Sequence, residues 1–242
     1  MATPRFYCSI SLNQEEKVTL SKEASHHAMR ALRLHNGDEV ILFNGKGGQW
    51  KGKIDFSGGH ACITQLEFEA IERETKGSLT LVQALASSEK MDWIIEKAVE
   101  LGVHQIIPIQ AQRSVLQLSG DRLEKRMQRW QNIIQSASEQ CGRNQLLSLQ
   151  PLQTLNTLSF PENSLVLLAH PYASLSLNEV LASHTDQPIF ICVGPEGGWS
   201  SSEIQTLTDK GAVLFQHGQR VLRTETAGMA FSAAIFTLKN WM

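Results

Sequence analysis

Two glycine-bearing turns carry the residues best placed for chemistry. The first is Gly194-Pro195-Glu196-Gly197-Gly198, directly after the apolar run Ile189–Val193. The second spans 218–226, Gly-Gln-Arg-Val-Leu-Arg-Thr-Glu-Thr, and opens the last apolar stretch. Two strand ends that each release such a turn suggest a ligand site at the edge of a parallel sheet. Neither turn is GxGxxG, and the chain has no GxxxxGK[ST], so no cradle for a pyrophosphate is present. Glycine backbone can instead approach a flat group such as adenine, whose edge amides and carbonyls can read. The plainer alternative is an ordinary strand-to-helix turn. Arg220 and Arg223 sit where a helix begins, a place that repels cations, so they call for an anionic or acceptor-rich partner. Thr224 or Thr226 is a natural N-cap there, and Glu225 suits the positive helix end. Arg113, which follows another strand, can converge on the same side. No GxSxG or Ser-His-Asp constellation points to a hydrolase. The eight histidines lack zincin spacing, and the adjacent His26 and His27 point apart on a helix, so no metal is expected.

The elements that must hold these turns read as strand-helix alternation from Leu79 onward. Strands are expected at 79–86, 103–109, 165–169, 189–193 and 212–215. Helices are expected after Ser87 or Ser88, ending at Gly102, at 121–140, around 175–182, after Ser200, and at the C-terminus. Met91, Ile94, Ile95, Ala98 and Leu101 form one buried face. Ser200 with Glu203 is a capping-box pair, and Gly211 ends that helix. The last helix shows a stripe of Ala227, Ala230, Phe231, Ala234, Ile235 and Leu238. This alternation implies an α/β domain with a parallel sheet. Residues 1–72 read differently. Short apolar runs at 40–43, 49–55 and 60–66, separated by glycine turns, suggest a small β-barrel interrupted by one helix at 24–34, with Ala24, Ala28, Ala31 and Leu32 on one face. The charged stretch 67–78 looks like the crossing between domains.

Composition sets the outer bounds. The chain has 242 residues, 42% hydrophobic and 19% charged, with a net charge of -2. Gross charge therefore announces no nucleic-acid binder, and any RNA surface must be local. Cys8, Cys62, Cys141 and Cys192 are scattered without CxxC, which suits reduced, mostly buried thiols rather than disulfides or zinc. No apolar run approaches membrane-spanning length, and MATPRFYCSI lacks the apolar core of a signal peptide. The expectation is a cytoplasmic protein.

The segments VGPEGGWSSSEI (193–204) and HGQRVLRTETAGMA (217–230) resemble the ribosomal RNA small-subunit methyltransferase E family. The resemblance covers nearly the whole chain. It includes Arg5-Phe6, His26-His27, Leu32-Arg33, Gly37-Asp38, Lys90, the run 96–103, Arg113-Ser114 and the run 139–143. Departures are local: His217 replaces the usual Leu, a proline is missing after Arg143, and Gly228-Met229-Ala230 matches more loosely. The resemblance implies an α/β SPOUT-type parallel sheet with a C-terminal trefoil knot over 73–242, preceded by a PUA-like, RNA-binding β-barrel over 1–72. It implies methylation of N3 of one uridine in 16S rRNA of the small ribosomal subunit, S-adenosyl-L-methionine as donor, and a homodimer. It places the donor against Leu168, Ala169, His170, Val193, Gly194, Pro195, Glu196, Gly197, Gly198, His217, Gly218, Val221, Leu222, Arg223 and Thr226. Uridine N3 must lose a proton, so charge stabilisation falls to Arg223 and Arg113, and less to Arg220. Glu225 or Glu196 is the candidate proton acceptor, with helix capping as the alternative role for each. Arg5, Arg30, Arg33, Lys90 and Arg143 are the candidate RNA contacts.

Overall fold

The computed structural model describes residues 3–10, 12, 17–184 and 187–242. It divides into two compact units, residues 1–74 with 135–146, and residues 75–134 with 147–242.

The first unit contains β1 (Arg5–Tyr7), β2 (Lys17–Thr19), α1 (Lys22–His26), β3 (Glu39–Phe43), β4 (Gln49–Asp55) and β5 (Cys62–Glu69). The five strands form one sheet, ordered β1-β3-β4-β5-β2, curled into a half-barrel. β1 runs parallel to β3, and the other pairings are antiparallel. Alternation along β4 buries Trp50 and Ile54 against Phe6, Leu42 and Ile63. Gly52 marks the register shift between β4 and β5; a Cβ there would lie 2.6 Å from Ile63.

Two expectations for this unit need correction. The helix begins at Lys22, capped by the Ser21 hydroxyl, which accepts from the Ala24 N–H at 3.1 Å. It then widens into a π-helical turn, His27–Ala31, in which the Leu32 N–H donates to the His27 carbonyl five residues back. The wider turn rotates the apolar face, so Ala28 is buried while Ala31 and Leu32 are exposed. The supposed crossing 67–78 also starts later, because β5 continues to Glu69.

The second unit begins with β6 (Leu79–Ala84), α2 (Ser88–Leu101), β7 (Gln105–Ile109) and α3 (Gly120–Cys141), whose final turns belong to the first unit. It continues through β8 (Ser148–Leu149), β9 (Leu165–Ala169), α4 (Leu177–Ala182), β10 (Ile189–Val193), α5 (Ser201–Asp209), β11 (Val213–Phe215) and α6 (Thr224–Leu238). The sheet is ordered β11-β9-β10-β6-β7-β8, and every pairing is parallel. β6 and β10 are buried along their whole length, as strands covered on both faces must be.

The helices follow their signals with two exceptions. Gly102 takes a left-handed φ of 88° and ends α2. The position before α6 is held by Arg223 and not by a threonine side chain. α6 is also buried beyond the expected stripe: Gly228, Met229, Ser232 and Phe236 are enclosed and Leu238 is exposed, because α6 packs against α2, α4, β6 and β10 together.

Candidate active site

β9, β10 and β11 are neighbours in the sheet, so the segments that follow them gather at one edge. They enclose a cleft of 590 Å³, a volume suited to a small organic ligand. Val193, Phe215, Leu222 and Phe231 supply apolar wall, and Lys90, Glu196, Gln216, Arg220 and Arg223 stand among the polar residues that line it. Gly198 and Gly218 adopt φ of 66° and 74°, which favours glycine at both positions. The Gly198 N–H donates to the Pro195 carbonyl at 2.8 Å and closes the first turn.

The two turns are joined directly. The Thr224 hydroxyl donates to the Gly194 carbonyl at 2.6 Å. It accepts from Gln83 Nε2 at 3.1 Å, and Gln83 is fully buried on β6.

A charged cluster reinforces that junction. Lys90, on α2, lies 3.2 Å from Glu196 Oε1 and 3.4 Å from Glu225 Oε2. Glu196 also accepts from the Ser87 N–H at 3.0 Å. Burial pushes the Glu196 carboxyl up, but the backbone donors and Lys90 outweigh it and hold the group below the ordinary carboxylate range. Burial likewise opposes the Lys90 charge, and its two carboxylates overcome it and raise its pKa. Lys90 is thus shared by both candidate proton acceptors, and of the two Glu196 lines the cleft while Glu225 stands beside it.

Arg113 braces the first turn from the far side. Its Nη1 donates to the carbonyls of Gly197 at 3.0 Å and Trp199 at 3.5 Å. The loop carrying Arg113 is fixed through its neighbour, because the Gln112 N–H donates to Glu203 Oε1 at 2.8 Å. Arg223 lines the cleft and is exposed, and among the described residues no carboxylate pairs with it.

Of the residues expected to hold a donor, Ala169, His170, Val193, Gly194, Pro195, Glu196, Gly197, Gly198, His217, Gly218, Val221, Leu222 and Arg223 line the cleft. Leu168 and Thr226 do not. Leu168 is wholly buried, because alternation along β9 turns its side chain into the core packed on one face of the sheet. Thr226 is the third residue of α6 and is exposed, and Thr224 lines the cleft instead. Trp199, Gln216 and Phe231 also stand on the wall, outside the residues expected there. Their spacing looked like helix and strand packing and carried no separate signal.

The expected RNA contacts divide. Arg30 and Arg33 are exposed on and after the π-helical turn. Arg143 is only 5% exposed and pairs through Nε and Nη2 with both oxygens of Glu74, at 3.0 and 2.6 Å, so it is not presented to a phosphate. Arg5 donates to Gln49, Asn144 and the Arg143 carbonyl and lies over the Phe43 ring, which makes it a brace of the first unit. Lys90 is in the cleft with its two carboxylates and does not form open basic surface.

The cysteines are unpaired, and burial pushes the Cys8 thiol up to about 12, far from a reactive thiolate. Among the described residues no cluster of three metal-ligating side chains occurs, and no helix is long and apolar enough to cross a membrane.

Residues 73–236 match the family model of the RNA methyltransferase domain, and residues 20–67 match that of the RNA methyltransferase PUA domain. A Synechocystis protein named ribosomal RNA small subunit methyltransferase E is 32% identical, over 93% of this chain and 74% of its own. The Bacillus subtilis protein of that name is 28% identical, over 96% and 95%. Among solved structures, the Neisseria gonorrhoeae ribosomal RNA small subunit methyltransferase E bound to S-adenosyl methionine is 31% identical, with a TM-score of 0.88 and 98% of each chain covered. A putative methyltransferase from Legionella pneumophila in complex with the same molecule is 29% identical, with a TM-score of 0.91 and 98% of each chain covered.

Proposed function

We infer the function from one premise: the chain belongs to the ribosomal RNA small subunit methyltransferase E family of RNA methyltransferases. It transfers a methyl group from S-adenosyl-L-methionine to N3 of a specific uridine in 16S rRNA. The observation that carries this reading is the cleft between the two turns. Its apolar walls and open glycine backbone suit an adenosine moiety, and the turns lack the phosphate-binding signatures that this donor does not need. Bound there, the donor supplies an electrophilic methyl on a cationic sulfur, so its activation asks little of the protein.

The protein's task is the acceptor. N3 of uridine carries a proton, and negative charge spreads onto the two flanking carbonyl oxygens as that proton leaves. Arg223, unpaired by any described carboxylate at the cleft, stabilises that charge. Arg113 contributes less, because Nη1 is committed to the first turn. The proton passes to one of the two carboxylates that Lys90 holds, Glu225 at the start of α6 or Glu196 on the cleft wall. Replacing Arg223 with Ala should slow single-turnover methyl transfer to small-subunit rRNA by about a hundredfold or more, the scale of losing one preorganised charge donor. Donor affinity, read by calorimetry, should change far less. An unchanged rate would remove Arg223 from this role.

The same reading extends to the rest of the chain. The PUA match supports RNA gripping by the first unit, with Arg30 and Arg33 as its exposed cations. Family membership supports the homodimer, the trefoil knot of the C-terminal segment, and work in the cytoplasm on the small ribosomal subunit.

A further inference from the structure

Gln83 is the polar exception on β6. The strand is buried throughout, and Gln83 itself is 0% exposed. A primary amide in such a place costs stability unless its polar atoms find partners. Its Nε2 finds two, the neighbouring Ala84 carbonyl at 2.9 Å and the Thr224 hydroxyl at 3.1 Å. Its Oε1 is buried without a hydrogen-bond partner. The sheet needs none of this, since an apolar side chain would fill the position without the penalty. What the amide does is set direction. A hydroxyl has one proton, and with the Gln83 amide donating to it, the Thr224 proton is left for the Gly194 carbonyl 2.6 Å away. The relay therefore runs from β6, through the first residue of α6, to the first residue of the glycine turn after β10.

We propose that Gln83 is a positioning residue for the methyl-donor site: through Thr224 it clamps the two turns together and fixes the Gly194 peptide in the orientation that receives the donor. This rests on the donor site assigned above. Both Gly194 and Thr224 line the cleft, while Gln83 does not. The clamp thus sits directly behind the wall, and it also anchors the N-terminus of α6, one residue from Arg223. Preorganised walls bind with less ordering cost, so the effect belongs in donor affinity.

The test is calorimetric titration of S-adenosyl-L-methionine into the full chain, alongside thermal unfolding. Gln83→Met keeps the volume and removes the amide, and Thr224→Val removes the hydroxyl. Each should weaken donor binding by about tenfold, the scale of one broken buried hydrogen bond. Thr224→Ser should restore affinity to near the parent value. The double variant should lose no more affinity than either single one, because both break the same relay. A merely structural role predicts lower melting temperatures with unchanged donor affinity in the folded variants, and that result overturns the proposal. If the parent chain itself fails to bind the donor, the function assigned above fails instead. Should Gln83→Met not fold, Thr224→Val against Thr224→Ser carries the same comparison.

Discussion

Lys90 holds two carboxylates at once, and each belongs to a different turn. Glu196 comes from the turn after β10 and Glu225 from the first turn of α6, so one ammonium joins the two segments, as the Thr224 hydroxyl also does. A lysine in that place is occupied by the protein's own carboxylates, and a phosphate would have to displace them. Arg143 makes the same point more strongly. It and Glu74 are 5% and 11% exposed and share two hydrogen bonds, which is the geometry of a buried ion pair in the first unit. Arg143→Met strands the Glu74 carboxylate, and the unfolding free energy from urea titration should fall by about 3 kcal/mol or more. A variant of undiminished stability with weakened rRNA binding would instead restore Arg143 as an RNA contact.

At the scale of elements, α5 does more than follow the glycine turn. Ser200 and Glu203 cap it reciprocally, with the Ser200 N–H donating to Glu203 Oε2 at 2.8 Å and the Glu203 N–H to the Ser200 hydroxyl at 3.2 Å. The second carboxylate oxygen holds the Gln112 N–H, so the cap also fixes the loop that carries Arg113. Glu203→Ala should cost about 1–3 kcal/mol in thermal unfolding and lower methyl transfer through a displaced Arg113, an effect larger than capping alone allows. A loss of stability with full activity would confine Glu203 to the cap. The capping box was legible because Ser and Glu three residues apart announce it locally. So were α2 and its Gly102 stop. The π-helical turn at His27–Ala31 was not, since its residues fit an α-helical face equally well in sequence. β8, at two residues, is too short to show a period. The choice of Thr224 over Thr226, and the meaning of Gln83, depend on a bond spanning 141 residues, which no local pattern encodes.

At the scale of the whole molecule, strand-helix alternation announced a parallel sheet, and the six strands do run parallel. Their order did not follow from it. β10 lies between β9 and β6, a pairing across more than a hundred residues that only the packed sheet reveals. That order brings the two turns to one edge and makes a single cleft of segments that alternation could only place near each other in sequence. Composition was silent on RNA, because a chain with a net charge of -2 carries whatever basic surface it has locally. The central claim is therefore one of substrate and atom, and it is tested most directly at the modified nucleotide. Small-subunit rRNA from cells lacking this activity is incubated with the protein and S-adenosyl-L-methionine, digested to nucleosides and read by mass spectrometry against synthetic standards. The account predicts 3-methyluridine, at one per 16S rRNA, absent without donor and strongly reduced with Arg223→Ala. A methylated ribose, a methylated guanine, or no methyl transfer despite donor binding would contradict it.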